Sequence, residues 1–175
     1  ILNMKVEQLI KTTMERVCVF VTGKLDINTD YFIQEIEKGI VAENAENYST
    51  NLKSPMTNYH YFTKDKEFAK MIMPLFDLIE RNDLNEKQRY TLDSAWGFKQ
   101  GFGNHSIRHQ HRPSILSGAV ALNNHHQSLI FPQINKQFEF EPGNFALFSG
   151  YLDHYNDRNL TDEVRYGLSF NLMMV

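Results

Sequence analysis

From residue 90 the chain reads Tyr90-Thr91-Leu92-Asp93-Ser94-Ala95-Trp96-Gly97-Phe98-Lys99-Gln100. Tyr90, Leu92, Ser94, Trp96, Phe98 and Gln100 fall on one face, and Thr91, Asp93, Ala95, Gly97 and Lys99 on the other. That period of two is the mark of a strand. Short strand-like runs then recur over residues 115–122, 128–131, 137–140, 144–148 and 165–173. The breaks between them carry turn chemistry: Asn123-Asn124, Asn135-Lys136, and Glu141-Pro142-Gly143, which predicts a type II turn.

Upstream of residue 90 the signals change. Asn28 to Asp30 supply capping groups, and Tyr31, Phe32, Ile36 and Ile40 follow at helical spacing. A second helix is predicted over residues 64–81 from the stripe Phe68, Met71, Ile72, Leu75, Leu78 and Ile79, with Pro74 expected to kink or split it. Residues 44–58, rich in Asn, Ser and Thr, read as a loop. Val17-Cys18-Val19-Phe20-Val21, flanked by Arg16 and Lys24, reads as a short buried strand and not as a signal peptide. Helices followed by a run of short antiparallel strands predict a mainly β fold with N-terminal helices, a barrel or sandwich. The expected division of a single domain, 1–175, is a helical buttress over about 4–89 and a β core over about 90–175.

Composition narrows the function classes. With 175 residues, 42% hydrophobic and thirteen Phe, the chain can fill a core without covalent staples. A net charge of -3 makes no electrostatic case for nucleic acid or an anionic membrane, and no apolar run is long enough to span a bilayer. Cys18 is the only cysteine, which removes disulfide frameworks and thiolate metal sites and predicts a reducing, cytoplasmic setting.

The chemistry-bearing residues are concentrated in the β half. His109 and His111 are two apart, a spacing that puts both side chains on one face of a strand, where they can grip one cation. Alone, the pair is a weak signal and equally describes the polar face of an edge strand. His154 adds weight because it follows the apolar run Phe145 to Phe148 and a turn, where a side chain can reach a barrel mouth. Three such ligands with open positions describe a non-haem iron site. Arg165 opens the strand Arg165-Tyr166-Gly167-Leu168-Ser169-Phe170-Asn171-Leu172, in which its neighbours are apolar. A guanidinium in that setting must be paired, either in a structural salt bridge or with the carboxylate of a ligand. Among the other histidines, His125 and His126 read as solvated in a polar loop, His105 as a surface residue, and His60 as packed among Tyr59, Tyr61 and Phe62. Trp96 and Phe98 read as core, and Gln100 is expected to point the same way as Trp96.

Taken in order, Ala95-Trp96, Gly103, His109-Gln110-His111, Ser117-Gly118, Pro142-Gly143 with Leu147-Phe148, His154, Arg165 and Ser169-Phe170-Asn171 form a recognisable series. The series resembles the 2-oxoglutarate/Fe(II)-dependent oxygenases, and within them a compact branch found in bacteria and bacteriophages. The likeness runs from about Leu92 to Met173, roughly half the chain. It implies a double-stranded β-helix, or jelly-roll, barrel. It implies Fe(II) held by His109, His111 and His154, and 2-oxoglutarate whose far carboxylate pairs with Arg165, helped by Ser169 or Gln100. With O2 as oxidant, the expected outcome is hydroxylation of an unactivated C–H bond, releasing succinate and CO2; desaturation or ring closure needs only a different substrate pose.

Two departures from the family pattern stand out. His111 occupies the place where most members have Asp or Glu, with Asp153 or a water as the alternatives. Gly167 stands where Arg-x-Ser is usual, and Ser169, on the same face as Arg165, is the candidate for the missing hydroxyl. A three-histidine metalloenzyme of cupin type, working without 2-oxoglutarate, and a non-catalytic jelly-roll binding protein are the rivals. Substrate contacts are expected from residues 44–58 and 123–127, which carry no readable code for a small-molecule or side-chain substrate.

Overall fold

A computed structural model describes residues 4–13, 17–42, 50–82, 84 and 89–175. Eleven strands and two helices run in the order β1 (Met4–Thr13), β2 (Val17–Leu25), α1 (Thr29–Ala42), β3 (Leu52–Lys53), α2 (Lys66–Arg81), β4 (Tyr90–Gln100), β5 (His105–His109), β6 (Leu116–Ala121), β7 (His125–Phe131), β8 (Lys136–Phe140), β9 (Asn144–Ser149), β10 (His154–Asn156) and β11 (Arg165–Met174). They form two sheets, one in the order β1-β2-β9-β6-β11-β4 and the other β3-β5-β10-β7-β8, and the strand pairs are antiparallel. This is a two-sheet jelly-roll with helices on the outer face of the larger sheet.

The continuous apolar runs of the larger sheet follow from its position as the middle layer. On β2, Val19 and Val21 face the helices while Cys18 and Phe20 face the smaller sheet. On β9, Phe145 and Leu147 face the helices and Ala146 and Phe148 face inward. A strand buried on both faces loses its polar alternation, and the helices α1 and α2 supply Phe32, Ile36, Phe68, Met71 and Leu75 to cover the outer side.

The N-terminal half is not helical throughout. The hairpin of β1 and β2 extends the larger sheet beyond β9, a role the short apolar run of β2 announced only in part. The expected loop over 44–58 lies partly outside the described residues; within the rest, β3 pairs with β5 and Met56 bridges to Phe98. The helix α1 is capped by Asn28, whose Oδ1 accepts the Tyr31 N–H at 3.2 Å, and α2 by Asp65, which accepts the Phe68 N–H at 2.7 Å. Pro74 does not split α2. It withholds a hydrogen bond from the carbonyl of exposed Lys70, which water can satisfy, while the buried stripe on the opposite face stays intact. The predicted turn before β9 is present, with Gly143 at φ 82° and the Asn144 N–H donating to the Glu141 carbonyl at 2.9 Å.

Candidate active site

The sheets open toward one end into a cavity lined in part by Trp96, His109, His111, His154, Arg165 and Ser169. β5 and β10 pair so that His154 lies opposite His109. The strand ends at His109, so His111 does not share it as the spacing suggested. His111 sits in the following turn instead. Its N–H donates to the Gly150 carbonyl and its own carbonyl accepts the Ser114 N–H, each at 2.8 Å. The Trp96 ring, stacked 5.8 Å from the imidazole, fixes its plane.

One ring nitrogen from each of the three histidines lies within 4.8 Å of the others. His109 Nδ1 donates to the Ile107 carbonyl at 2.7 Å and His154 Nδ1 to the Leu152 carbonyl at 3.0 Å. These bonds set the tautomer of both rings and leave the Nε2 lone pairs for the centre of the cluster. Asn171 hydrogen-bonds the His111 ring. Nε2 of His111 and Nε2 of His154 are 3.0 Å apart. Two donors at right angles on metal–nitrogen bonds of about 2.1 Å would have about that separation, so the residues present fit a first-row divalent ion.

Burial keeps the cluster neutral. It pushes His111 well below the usual imidazole range, helped by the neighbouring His154 and His109, and lowers His154 to about 3. His109 is lowered for the same reason, against the pull of its hydrogen bond to Ile107. Asp153 is committed elsewhere: Oδ2 accepts from Arg108 Nε at 2.9 Å and Nη2 at 2.6 Å, and Oδ1 from Gln110 Nε2 at 2.7 Å. It braces the segments carrying the histidines from outside the cavity and is not one of the three clustered donors.

Arg165 lies deep in the same cavity at 1% exposure. The apolar residues of β11, Leu168, Phe170 and Leu172, point to the opposite face against the helices, so they are not its surroundings as the sequence reading had it. Its guanidinium rests 3.8 Å from the Phe140 ring centroid and 5.7 Å from that of Phe98. Nη1 donates to Gln100 Oε1 at 2.6 Å, and Nε has no hydrogen-bond partner among the described residues. Burial pulls its pKa down to about 9, which still leaves the group charged at neutral pH.

Gln100 is buried behind Arg165 and does not line the cavity; Ser169 does. Gln100 Nε2 donates to Asn156 Oδ1 at 3.3 Å, and Ser106 Oγ donates to the same oxygen at 2.6 Å. This chain joins the two sheets and orients the arginine. Asn156 and Ser106 went unnoticed in the sequence, although Asn156 is two residues beyond His154 on the same strand face. Gly167 also acquires a reason. A Cβ there would meet the ring of Phe98 and come within 2.8 Å of Phe140 Cζ, the two rings that flank the guanidinium. Two of the other histidines are placed differently from expectation. His60 is exposed, and His125 is buried at the start of β7 and not solvated in a loop, while His126 is exposed.

No protein-family model and no curated protein matches this sequence. Solved structures do. A viral collagen prolyl hydroxylase from Paramecium bursaria Chlorella virus-1, in complex with 2-oxoglutarate, superposes with a TM-score of 0.67 over 84% of this chain and 90% of its own, at 11% identity. The α-ketoglutarate-dependent carbocyclase SnoK of nogalamycin biosynthesis gives 0.67 over 89% and 79%, at 11% identity. HygX from Streptomyces hygroscopicus, with nickel, 2-oxoglutarate and hygromycin B bound, gives 0.63 over 87% and 82%, at 12% identity. The chain has the fold of the 2-oxoglutarate-dependent oxygenases. Within that oxygenase fold, the histidine cluster and Arg165 line one cavity between the sheets.

Proposed function

We propose that this protein is an Fe(II)- and 2-oxoglutarate-dependent oxygenase, with His109, His111 and His154 as metal ligands and Arg165 as the anchor for the far carboxylate of 2-oxoglutarate. The observation that carries this reading is the pairing, in one cavity, of three converging imidazoles with a buried arginine whose hydrogen-bonding capacity is only partly used. A dicarboxylate meets both needs at once, because one end can chelate a cation while the other accepts from a guanidinium. A cupin-type enzyme without 2-oxoglutarate would leave Arg165 with no such partner.

When bound, iron and 2-oxoglutarate together supply the activation of O2 and the oxidation of substrate, yielding succinate and CO2. The chain's own residues bind, orient and exclude water. His109 and His154 present fixed lone pairs, Gln100 and Asn156 hold Arg165 in place, and Trp96, Phe98 and Phe140 keep the cavity apolar. Ser169 offers a hydroxyl on the Arg165 face. A more open cleft on the other side of the histidines, with Tyr59, Asp93, Arg112 and Asn171 on its walls, gives a substrate a path to the metal. Hydroxylation is the reaction this arrangement supports most simply.

Anaerobic titration of the Fe(II)-loaded protein with 2-oxoglutarate tests the proposal. A visible charge-transfer band should grow to one equivalent and be absent with succinate. Saturable Fe(II) binding with no such band and no 2-oxoglutarate uptake would overturn it.

A further inference from the structure

A second cluster of donors lies outside the cavity. One ring nitrogen each of His125 and His126 and a carboxylate oxygen of Glu163 lie within 4.8 Å of one another. His126 Nδ1 is 3.4 Å from Glu163 Oε2, and the two imidazoles stack with centroids 4.4 Å apart. The residues come from the start of β7 and the segment leading into β11. Glu139 and Glu141 stand on the walls of the same cleft, and among the described residues no lysine or arginine lines it. The cleft therefore gathers negative potential, offset in part from behind by the buried Arg165 guanidinium, whose charge acts on His125.

His125 separates this cluster from a chance surface pair. It is 8% exposed, its Nδ1 accepts the Gln127 N–H at 3.2 Å, and its Nε2 is buried with no hydrogen-bond partner among the described residues. Because Nδ1 accepts, the buried Nε2 carries the ring proton and is not the atom that would hold a cation; none of the oxygenase chemistry uses this ring. Burial and the adjacent His126 lower its pKa, so the ring is neutral at physiological pH, and it can ligate a cation through Nδ1 by giving up the long bond to Gln127.

We propose that His125, His126 and Glu163 form a second divalent-cation site, able to take a borderline ion such as Zn(II). Nitrogen-donor sites generally bind Zn(II), Ni(II) and Cu(II) more tightly than Mn(II) or Fe(II), which makes Zn(II) the probe of choice. Glu139 and Glu141 add charge that favours occupancy without being ligands. The site also adjoins the Arg165 cavity. Glu163 precedes Arg165 by two residues, and Phe140 lines the outer cleft while its ring lies against the guanidinium. An ion here would lie on the outer side of the wall that Phe140 forms with the co-substrate pocket.

The test is Zn(II) titration against a chromophoric competitor, using the full chain in four forms: parent, His126→Ala, His154→Ala and His154→Ala/His126→Ala. Removing His126 should take away one equivalent of Zn(II) in either background. Glu163→Gln, which keeps the shape and removes the charge, should weaken that equivalent at least tenfold. His154→Ala alone should keep it, which separates this site from the histidine cluster in the cavity. If the His154 variants do not fold, the parent and His126→Ala pair decides on its own. Equal Zn(II) stoichiometry and affinity with and without His126 would overturn the proposal, whatever happens to 2-oxoglutarate binding.

Discussion

Replacing Arg165 by methionine should move stability and co-substrate affinity in opposite directions. The side chain is 1% exposed and its pKa is pulled down to about 9 by burial. Set against the ordinary guanidinium value, and at about 1.4 kcal/mol per pKa unit, the fold holds about 5 kcal/mol against the charged group. Two contacts return part of this: the charged hydrogen bond to Gln100, worth about 2 kcal/mol, and the ring of Phe140, worth about 1 kcal/mol. Methionine fills similar space without the charge, so the ligand-free variant should be more stable by about 2 kcal/mol. With a urea dependence of about 2 kcal/mol per molar, the unfolding midpoint should rise by about 1 M. The same change removes the anchor for the dicarboxylate. Losing a buried charged pair costs about 2–5 kcal/mol, a drop in 2-oxoglutarate affinity of roughly thirty-fold or more. Urea unfolding of the metal-free protein and anaerobic titration of the Fe(II)-loaded protein read the two effects. A variant that is less stable than the parent and binds 2-oxoglutarate equally well would show that Arg165 is a structural cation, and the reasoning would fail.

His154→Ala should abolish stoichiometric Fe(II) binding in equilibrium dialysis, and one-to-one binding retained in that variant would remove His154 from the ligand set. His111→Asp should keep Fe(II) binding, since a carboxylate in the turn after β5 restores the ligand type commoner in the resembled family; complete loss would mean that the site is built for imidazole alone. The metal-free protein should lose stability in mild acid. His154 titrates near 3 in the fold and near 6.5 when unfolded, so its contribution is complete above about pH 6.5 and drains as pH falls toward 3. By pH 5 the loss from His154 is about 2 kcal/mol, with His109 and His111 acting in the same direction; a flat urea midpoint between pH 7.5 and 5 would contradict this. Gly167→Ser should displace Phe98 and Phe140, costing about 1–3 kcal/mol of stability and weakening 2-oxoglutarate binding, and a variant indistinguishable from the parent in both would refute the role given to those rings.

The strands legible in the sequence were those whose two faces differ. β4 was read to its ends because Trp96 and Phe98 face the cavity while its other face packs on helices. β7 was begun three residues late because His125 and His126 look like loop residues, and their pairing with β8 is irregular there. The hairpin of β1 and β2 was seen only in its buried half, since β1 is an edge strand whose Lys5, Val6, Glu7 and Leu9 are all exposed, which leaves its apolar alternation weak. At the candidate site, His109 announced itself by its spacing from His111, His154 by following the apolar run Phe145 to Phe148, and Arg165 as a cation in a largely apolar strand. Gln100 was expected near the co-substrate, and its Oε1 accepts from the Arg165 guanidinium. Phe140 was invisible as a site residue, because an aromatic in a strand reads as core until the cation against its ring is known.

His109 and His154 belong to the smaller sheet, and Arg165 to the larger. The smaller sheet has little of its own to hold it: β10 is three residues long and β3 two. Short strands open locally at free energies far below that of global unfolding. A metal-bound dicarboxylate reaching Arg165 would be a tie across the interior, fastening the weaker sheet to the stronger one. Amide hydrogen exchange in β5 and β10 would then slow sharply on loading, while β6, β9 and β11, already locked between helices and core, would barely change. The co-substrate, in that case, finishes the fold of the wall it binds.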